Sequence, residues 1–138
     1  MVKIATKILS IKKEIKALRK MILILNDLKK NEENIPTGIR ISRVFDRVLI
    51  PDISSLEKLH EVRMWLKDTL GHWEDELGSI WFSEGVMIAA FHNNEKEIEL
   101  WLETKPEDFP SKLKSENCKV VRLPDRIEPD YAYICNWK

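Results

Sequence analysis

Residues 79–103 read SIWFSEGVMIAAFHNNEKEIELWLE, and this stretch decides the fold class. Apolar side chains tend to alternate with others along it, and turn-forming residues interrupt the pattern at 83–85 and 92–94. A period of two between turns is typical of antiparallel strands. The stretch therefore predicts a meander of three strands, at 79–83, 86–91 and 97–103.

The third of these strands indicates how the sheet lies in the protein. Ile98, Leu100 and Leu102 share one face, and Trp101 lies on the opposite face among glutamates. Successive strand residues point to opposite faces, so the leucine-bearing face requires a covering layer. The glutamates of the polar face are Glu97, Glu99 and Glu103.

The elements around the meander supply the covering layer and extend the sheet. Residues 39–50 contain many β-branched side chains and predict a bulged strand. A capping-box pattern at 54–57 opens a helix that Gly71 ends. Two further strands are predicted at 119–123 and 131–135. We expect an α+β domain with a mainly antiparallel sheet, one or two packed helices and a long N-terminal helical oligomerisation arm.

The arm is predicted from residues 4–25, which read IATKILSIKKEIKALRKMILIL. Their apolar residues are spaced alternately by four and three, which is a heptad seam. A helix of this kind is roughly 40 Å long, too long for a small domain to bury the whole seam. The seam is therefore predicted to form a homo-oligomer. Its residues are Ile4, Ile8, Ile11, Ile15, Leu18, Ile22 and Leu25.

The formal charge of zero conceals a division between arm and body. Residues 1–30 carry nine Lys and Arg against Glu14 and Asp27, a net charge of about +7, and the remaining residues balance it with about −7. We accordingly divide the chain into a helical association arm at 1–34 and an α+β body at 35–138.

Four roles were weighed for the arm. Self-association is favoured because helix–helix burial needs isoleucine along the seam, whereas a nucleic-acid arm needs only charge. A membrane-surface helix is disfavoured because residues 1–44 lack aromatic anchors. The fourth role is packing within its own domain. Isoleucine at both core positions favours parallel trimers or tetramers, and the opposite charges of arm and body also allow an antiparallel dimer.

Composition restricts the compartment and the class of protein. No segment approaches the roughly 18 apolar residues of a membrane span, and no secretory signal is recognised. We therefore expect a cytoplasmic protein. In a reducing compartment Cys118 and Cys135 are interpreted as small buried apolar residues, with a disulfide as the alternative.

Tryptophan and arginine supply the candidate ligand site. Five tryptophans in 138 residues exceed ordinary usage; they are Trp65, Trp73, Trp81, Trp101 and Trp137. Such rings either fill a core or stack on a flat ligand, and guanidinium groups near them add donors for phosphate. The alternative for the arginines is ordinary solvation on a strand. The predicted ligand-binding residues are Arg43, Arg47, Trp81, Phe82, Trp101 and Arg122.

Catalysis is disfavoured. Glu97, Glu99 and Glu103 offer the paired carboxylates of a glycosidase, but a polar strand face is ordinarily just solvated. His60, His72 and His92 have no metal-ligand spacing, and no nucleophile, phosphate-loop or dinucleotide motif is present. We predict no catalytic residues, no metal and no cofactor.

The order of elements resembles the first family of phage-encoded Thoeris anti-defence proteins. The resemblance rests on the helix at 4–28 and on the aromatic, arginine-bearing strands at 39–50 and 79–103. Members of that family join N-terminal assembly helices to a β-rich body that sequesters a cyclic ADP-ribose isomer. The resemblance implies a sponge for a signalling nucleotide, acting in the host cytoplasm.

Two functions remain open from the sequence. The first is a non-catalytic homo-oligomeric binding protein that holds a small, flat, anionic nucleotide. The second is a protein–protein adaptor that docks through its tryptophan-rich face. Neither requires nucleic acid.

Overall fold

The computed structural model describes residues 3–110, 113, 118–123 and 130–135. This part of the chain holds the helices α1 (Ile4–Lys29) and α2 (Leu56–Leu70). Its strands are β1 (Ser42–Val44), β2 (Arg47–Ile53), β3 (Asp75–Ser83), β4 (Val86–Asn93), β5 (Ile98–Thr104), β6 (Cys118–Leu123) and β7 (Asp130–Cys135). Short 3₁₀ turns lie at Glu32–Asn34 and Pro106–Asp108.

Five strands form one sheet in the order β1-β2-β5-β4-β3, and β6 and β7 form a separate antiparallel pair. The larger sheet is antiparallel except where β5 pairs in parallel with β2. The predicted α+β class and the β3–β4–β5 meander are confirmed. The sequence does not predict that β5 lies between β2 and β4.

The prediction of one bulged strand over residues 39–50 is wrong in its bounds. The chain reverses at Phe45, whose φ is 51°, so that Ser42 of β1 pairs with Leu49 of β2. β2 then continues past Pro51 to Ile53, with an irregular register between Ile50 and Ile53. Proline lacks the N–H that a regular ladder needs, and the irregularity accommodates it.

The core lies on one face of the sheet, under both helices. β2, β4 and β5 contribute alternate residues to it, and α2 contributes one apolar stripe. The fully buried members include Val48, Ile50, Leu59, Val62, Leu66, Met87, Leu100 and Leu102. The predicted burial of Leu100 and Leu102 is confirmed.

The two halves of α1 behave differently. In the second half, Met21 and Leu28 are buried in the core and Ile24 packs against it. Residues 3–16 are all exposed. We call residues 4–16 the projecting half. Within the described residues, no helix combines the length and apolarity that crossing a bilayer demands.

Hydrogen bonds fix the end of α1 to α2. The Trp65 indole Nε1 donates to the Asn31 carbonyl oxygen at 2.9 Å, and Asn31 Nδ2 donates to Thr69 Oγ1 at 2.9 Å. α2 itself begins at the cap Ser55, whose side chain accepts from the Lys58 N–H, and ends at Gly71 in the left-handed conformation. The predicted stop at Gly71 is confirmed, whereas the helix starts one residue later than the capping-box pattern at 54–57 places it, because Ser55 and not Ser54 is the cap.

A partly buried ion pair joins α2 to β3. Both oxygens of Asp75 accept hydrogen bonds from Arg63, at 2.9 and 2.7 Å, and Oδ2 also accepts from the Trp73 indole at 2.6 Å. The Asp75 side chain is only 3% exposed. The Arg63 guanidinium carbon lies 4.9 Å from the centre of the Phe91 ring, so the pair is continuous with the core.

Cys118 and Cys135 form a disulfide. The interpretation of the two as separate buried apolar residues is therefore wrong, and the alternative is confirmed. The two cysteines lie directly opposite each other in the register of β6 and β7, which the sequence alone could not show. The hairpin packs on the main core through Tyr131 against Phe82 and Tyr133 against Phe109. Disulfides of this kind are typical of oxidising compartments, and a cytoplasmic location stays a prediction.

Reduction of this disulfide is expected to destabilise the protein. The bond closes a segment with a sequence separation of 17, for which the loop-entropy account gives about 3 kcal/mol. Urea unfolding of oxidised, reduced and Cys118→Ser/Cys135→Ser protein measures the effect. The reduced protein and the double variant should unfold at the same, lower urea concentration; midpoints equal to that of the oxidised protein would contradict the expectation.

Candidate functional site

Within the described part of the chain, the second face of the sheet carries two tryptophans and no helix. In the strand register Trp81 pairs with Ile88 and Trp101 pairs with Ala90, so all four side chains lie on the same face. Both helices pack on the opposite face. We call this surface the Trp face; its members are Arg47, Leu49, Glu76, Trp81, Ile88, Ala90, His92, Glu99, Trp101 and Glu103.

The Trp face has an apolar centre. Leu49, Ile88 and Ala90 are at most 5% exposed although they lie outside the main core. The Trp81 and Trp101 rings lie edge to face, with centroids 5.2 Å apart and an interplanar angle of 85°. Such a pair is held by complementary ring charges in addition to its buried area. The result is an apolar platform with both indoles partly exposed.

Glu99 organises the polar groups beside the platform. One carboxylate oxygen accepts from Arg47 Nη1 at 3.0 Å and the other accepts from the Trp101 indole Nε1 at 3.1 Å. The Glu99 side chain is 13% exposed and that of Arg47 is 27% exposed. The charge of Arg47 is therefore neutralised locally, and the orientation of Trp101 is fixed.

A second carboxylate group lies at the end of β5. Glu103 accepts a hydrogen bond from the Asp52 backbone N–H, and Asp52 accepts one from Arg40. Burial raises the pKa of Glu103; the hydrogen bond from the Asp52 N–H lowers this pKa, and the Asp52 carboxylate raises it further. The hydrogen bond from Arg40 lowers the pKa of Asp52. The Trp face therefore has an acidic rim.

The predicted ligand-binding residues do not form one cluster. Arg47, Trp81 and Trp101 share the Trp face, whereas Phe82 points to the opposite face, where its ring lies 5.1 Å from that of Tyr131. Adjacent strand residues must point to opposite faces, so Trp81 and Phe82 cannot serve one site.

The other two predicted arginines also lie elsewhere. Arg43 pairs in register with Val48 on the helix-bearing face; its Nε donates to the Phe45 carbonyl oxygen and its Nη2 lies 3.9 Å from Glu14. Arg122 is exposed on β6, in the other sheet. Trp137 lies outside the described residues.

The predicted oligomerisation seam forms one side of α1. Six of its seven side chains are between 38% and 69% exposed; they are Ile4, Ile8, Ile11, Ile15, Ile22 and Leu25. Leu18 differs because it packs against the core. The body is contacted by a neighbouring stripe, in which Met21 and Leu28 are buried, so the other six seam residues are left uncovered by the described part of the chain.

Sequence reasoning missed a groove on the helical side. It has a volume of about 920 Å³ and lies between α1, the end of α2 and the β4–β5 turn, with Lys20, Trp73 and Glu97 among its lining residues. A hydrogen bond with Glu95 is the main cause that raises the pKa of Glu97, and Lys20 Nζ lies 3.5 Å from the Glu97 carboxylate. The signs of charge are mixed, so the groove has no clear preference for an anion.

The described residues contain no group of three or more His, Cys, Asp or Glu side chains placed to hold a metal ion. No family model, curated protein or solved structure matches the chain. The functional argument therefore depends on two surfaces of the chain itself, the seam of α1 and the Trp face.

Proposed function

We propose that the protein is a non-catalytic, homo-oligomeric binding protein whose association element is the seam of α1. The observation that carries the proposal is the exposure of this seam, from Ile4 at 69% to Leu25 at 38%. Exposed contiguous apolar surfaces of this kind mark interaction sites. Covering one isoleucine side chain is worth about 1.5–3 kcal/mol, so a partner for the seam stabilises the protein considerably.

The mass of the protein in solution tests the association. The full chain should sediment as a dimer or larger oligomer, and a variant that lacks residues 2–16 should form a smaller species. The deletion stops at residue 16 because Met21 and Leu28 belong to the core. A well-folded full-length monomer at high protein concentration would contradict the proposal.

We assign ligand capture to the Trp face. Trp81 and Trp101 provide aromatic surface for a flat molecule, and Arg47 provides a donor beside them. A signalling nucleotide is the ligand class implied by the resemblance to the Thoeris anti-defence family. Because Glu99 already neutralises Arg47, stacking rather than phosphate pairing has to supply most of the affinity.

Intrinsic fluorescence measures this binding. Titration with cyclic ADP-ribose isomers and other cyclic nucleotides should quench tryptophan emission at micromolar concentrations. The Trp101→Phe variant should bind weakly, because it loses part of the stacking surface and the hydrogen bond to Glu99. Trp73→Phe, on the helical side, is the matched control and should respond like the unchanged protein. Absence of quenching and of heat across the panel would remove the nucleotide from the proposal.

The acidic rim favours a second candidate, a protein adaptor. Glu76 and Glu103 lie beside a broad apolar platform, which suits an apolar and basic protein surface. Recovery of the tagged protein from its native host distinguishes the two. An adaptor should retain a stoichiometric protein, whereas a sponge should retain a small molecule.

A further inference from the structure

The projecting half of α1 lies beyond the edge of the sheet. The Glu14 carboxylate lies 3.9 Å from Arg43 on β1, which is the edge strand, and residues 3–16 are all exposed. Its seam residues Ile4, Ile8 and Ile11 are 69%, 49% and 56% exposed. This half therefore presents an isoleucine surface to a partner at the β1 edge.

The charges of the projecting half restrict that partner. Lys7 and Lys12 flank the seam, and Glu14 is the single carboxylate within residues 4–25. Parallel pairing of two α1 helices would place Lys7 of one copy near Lys12 of the other. A surface that is apolar at its centre and acidic at its rim is a better complement than a second basic helix.

The Trp face has these properties. Its centre is formed by Trp81, Ile88 and Trp101, and its acidic groups include Glu76 and Glu103. We infer that the Trp face of each copy is covered by the projecting half of α1 from a second copy, so that a ligand reaches Trp101 only by displacing this helix. This inference rests on the self-association proposed above.

A two-fold arrangement satisfies the geometry. Arg43, which contacts Glu14, lies on the helix-bearing face of β1, so α1 leaves the sheet on that side. A two-fold axis in the plane of the sheet, beside β1, turns the second copy over. Its Trp face then comes to the side from which the first α1 projects, and the same contact is formed twice. Residues 4–13 extend roughly 15 Å beyond Glu14, which is long enough to cross β1, β2 and β5 of the second copy at a strand spacing of about 4.8 Å.

Cross-linking between copies tests the contact. Equal amounts of unlabelled and ¹⁵N-labelled protein are mixed, treated with a carbodiimide that joins amines directly to carboxylates, digested and analysed by mass spectrometry. Mixed-isotope links from Lys7 or Lys12 to Glu103 are expected. An oligomer whose mixed-isotope links join only lysines of one α1 to Glu14 of another would overturn the inference and leave the proposed self-association intact. A monomer would remove both.

Charge reversal provides a second, independent measurement. Lys7 flanks the seam on the projecting half, and Lys7→Glu should raise the dissociation constant of the assembly about tenfold because it would face carboxylates of the Trp face. Lys13→Glu, on the side of α1 away from the seam, makes the same change in net charge and is the matched control. Parallel pairing of two α1 helices predicts the opposite sign, because Lys7→Glu would then remove the repulsion from Lys12. A tighter assembly, or equal effects of Lys7→Glu and Lys13→Glu, would contradict the inference.

Discussion

The double variant Ile11→Asp/Ile15→Asp is expected to be a folded monomer. Both side chains are exposed in the single chain, at 56% and 42%, so the substitutions remove no contact of the core. In the assembly each would place a carboxylate in an apolar contact, which is costly unless the charge is paired. Together with the lost apolar burial, we expect the dissociation constant to rise by at least about 100-fold.

Sedimentation velocity measures the oligomeric state, and near-ultraviolet circular dichroism reports whether the core is unchanged. The matched control is Thr6→Asp/Ser10→Asp, which introduces the same two charges on α1 away from the seam. This control should keep the oligomer of the unchanged chain. If both double variants dissociate equally, the charge of the helix rather than its isoleucine side controls assembly, and the proposed role of the seam is wrong.

The Asp75→Ala variant is expected to lose about 3 kcal/mol of unfolding free energy. The carboxylate is 3% exposed and accepts two hydrogen bonds from Arg63 and one from the Trp73 indole. Its removal leaves these donors without their acceptor, including a guanidinium that lies against Phe91. The penalty of an unpaired, partly buried charge exceeds the modest benefit of the intact pair.

Urea unfolding followed by circular dichroism measures this loss. Asp68→Ala, at an exposed position on α2, should change the unfolding free energy by less than about 0.5 kcal/mol. The double variant Arg63→Met/Asp75→Ala should recover part of the stability because it removes the unpaired cation. Equal midpoints for Asp75→Ala and Asp68→Ala would show that the ion pair contributes little.

Local patterns predicted much of this fold. The meander, α2 with its Gly71 end and the seam of α1 follow from periodicity and turn residues, which depend on neighbours in the chain. The disulfide between Cys118 and Cys135 depends instead on which strands pair. The same limit applies to the parallel pairing of β2 with β5.

The candidate site was predicted less completely than the fold. The sequence does not show which strand residues face which side of the sheet, so the predicted site includes both Trp81 and Phe82. In the structure these adjacent residues point to opposite faces. The predicted seam comprises seven apolar residues of α1 and assigns no role to Met21 and Leu28, which form a neighbouring stripe that contacts the body. Arg47 was predicted as a free donor, and its pairing with Glu99 required the register of β2 and β5.

The position of β5 has a consequence for how the chain matures. During synthesis the β1–β2 and β3–β4 hairpins emerge first, and each leaves an unpaired strand, β2 and β4, that only β5 can bridge. Until residues 98–104 leave the ribosome, β2 and β4 therefore each expose an unpaired strand edge to other nascent chains. Both strands contain valine and isoleucine. The central strand of the sheet is thus the last to be added. Late pairing between strands that are distant in the sequence makes folding slower than the small size of the protein would suggest.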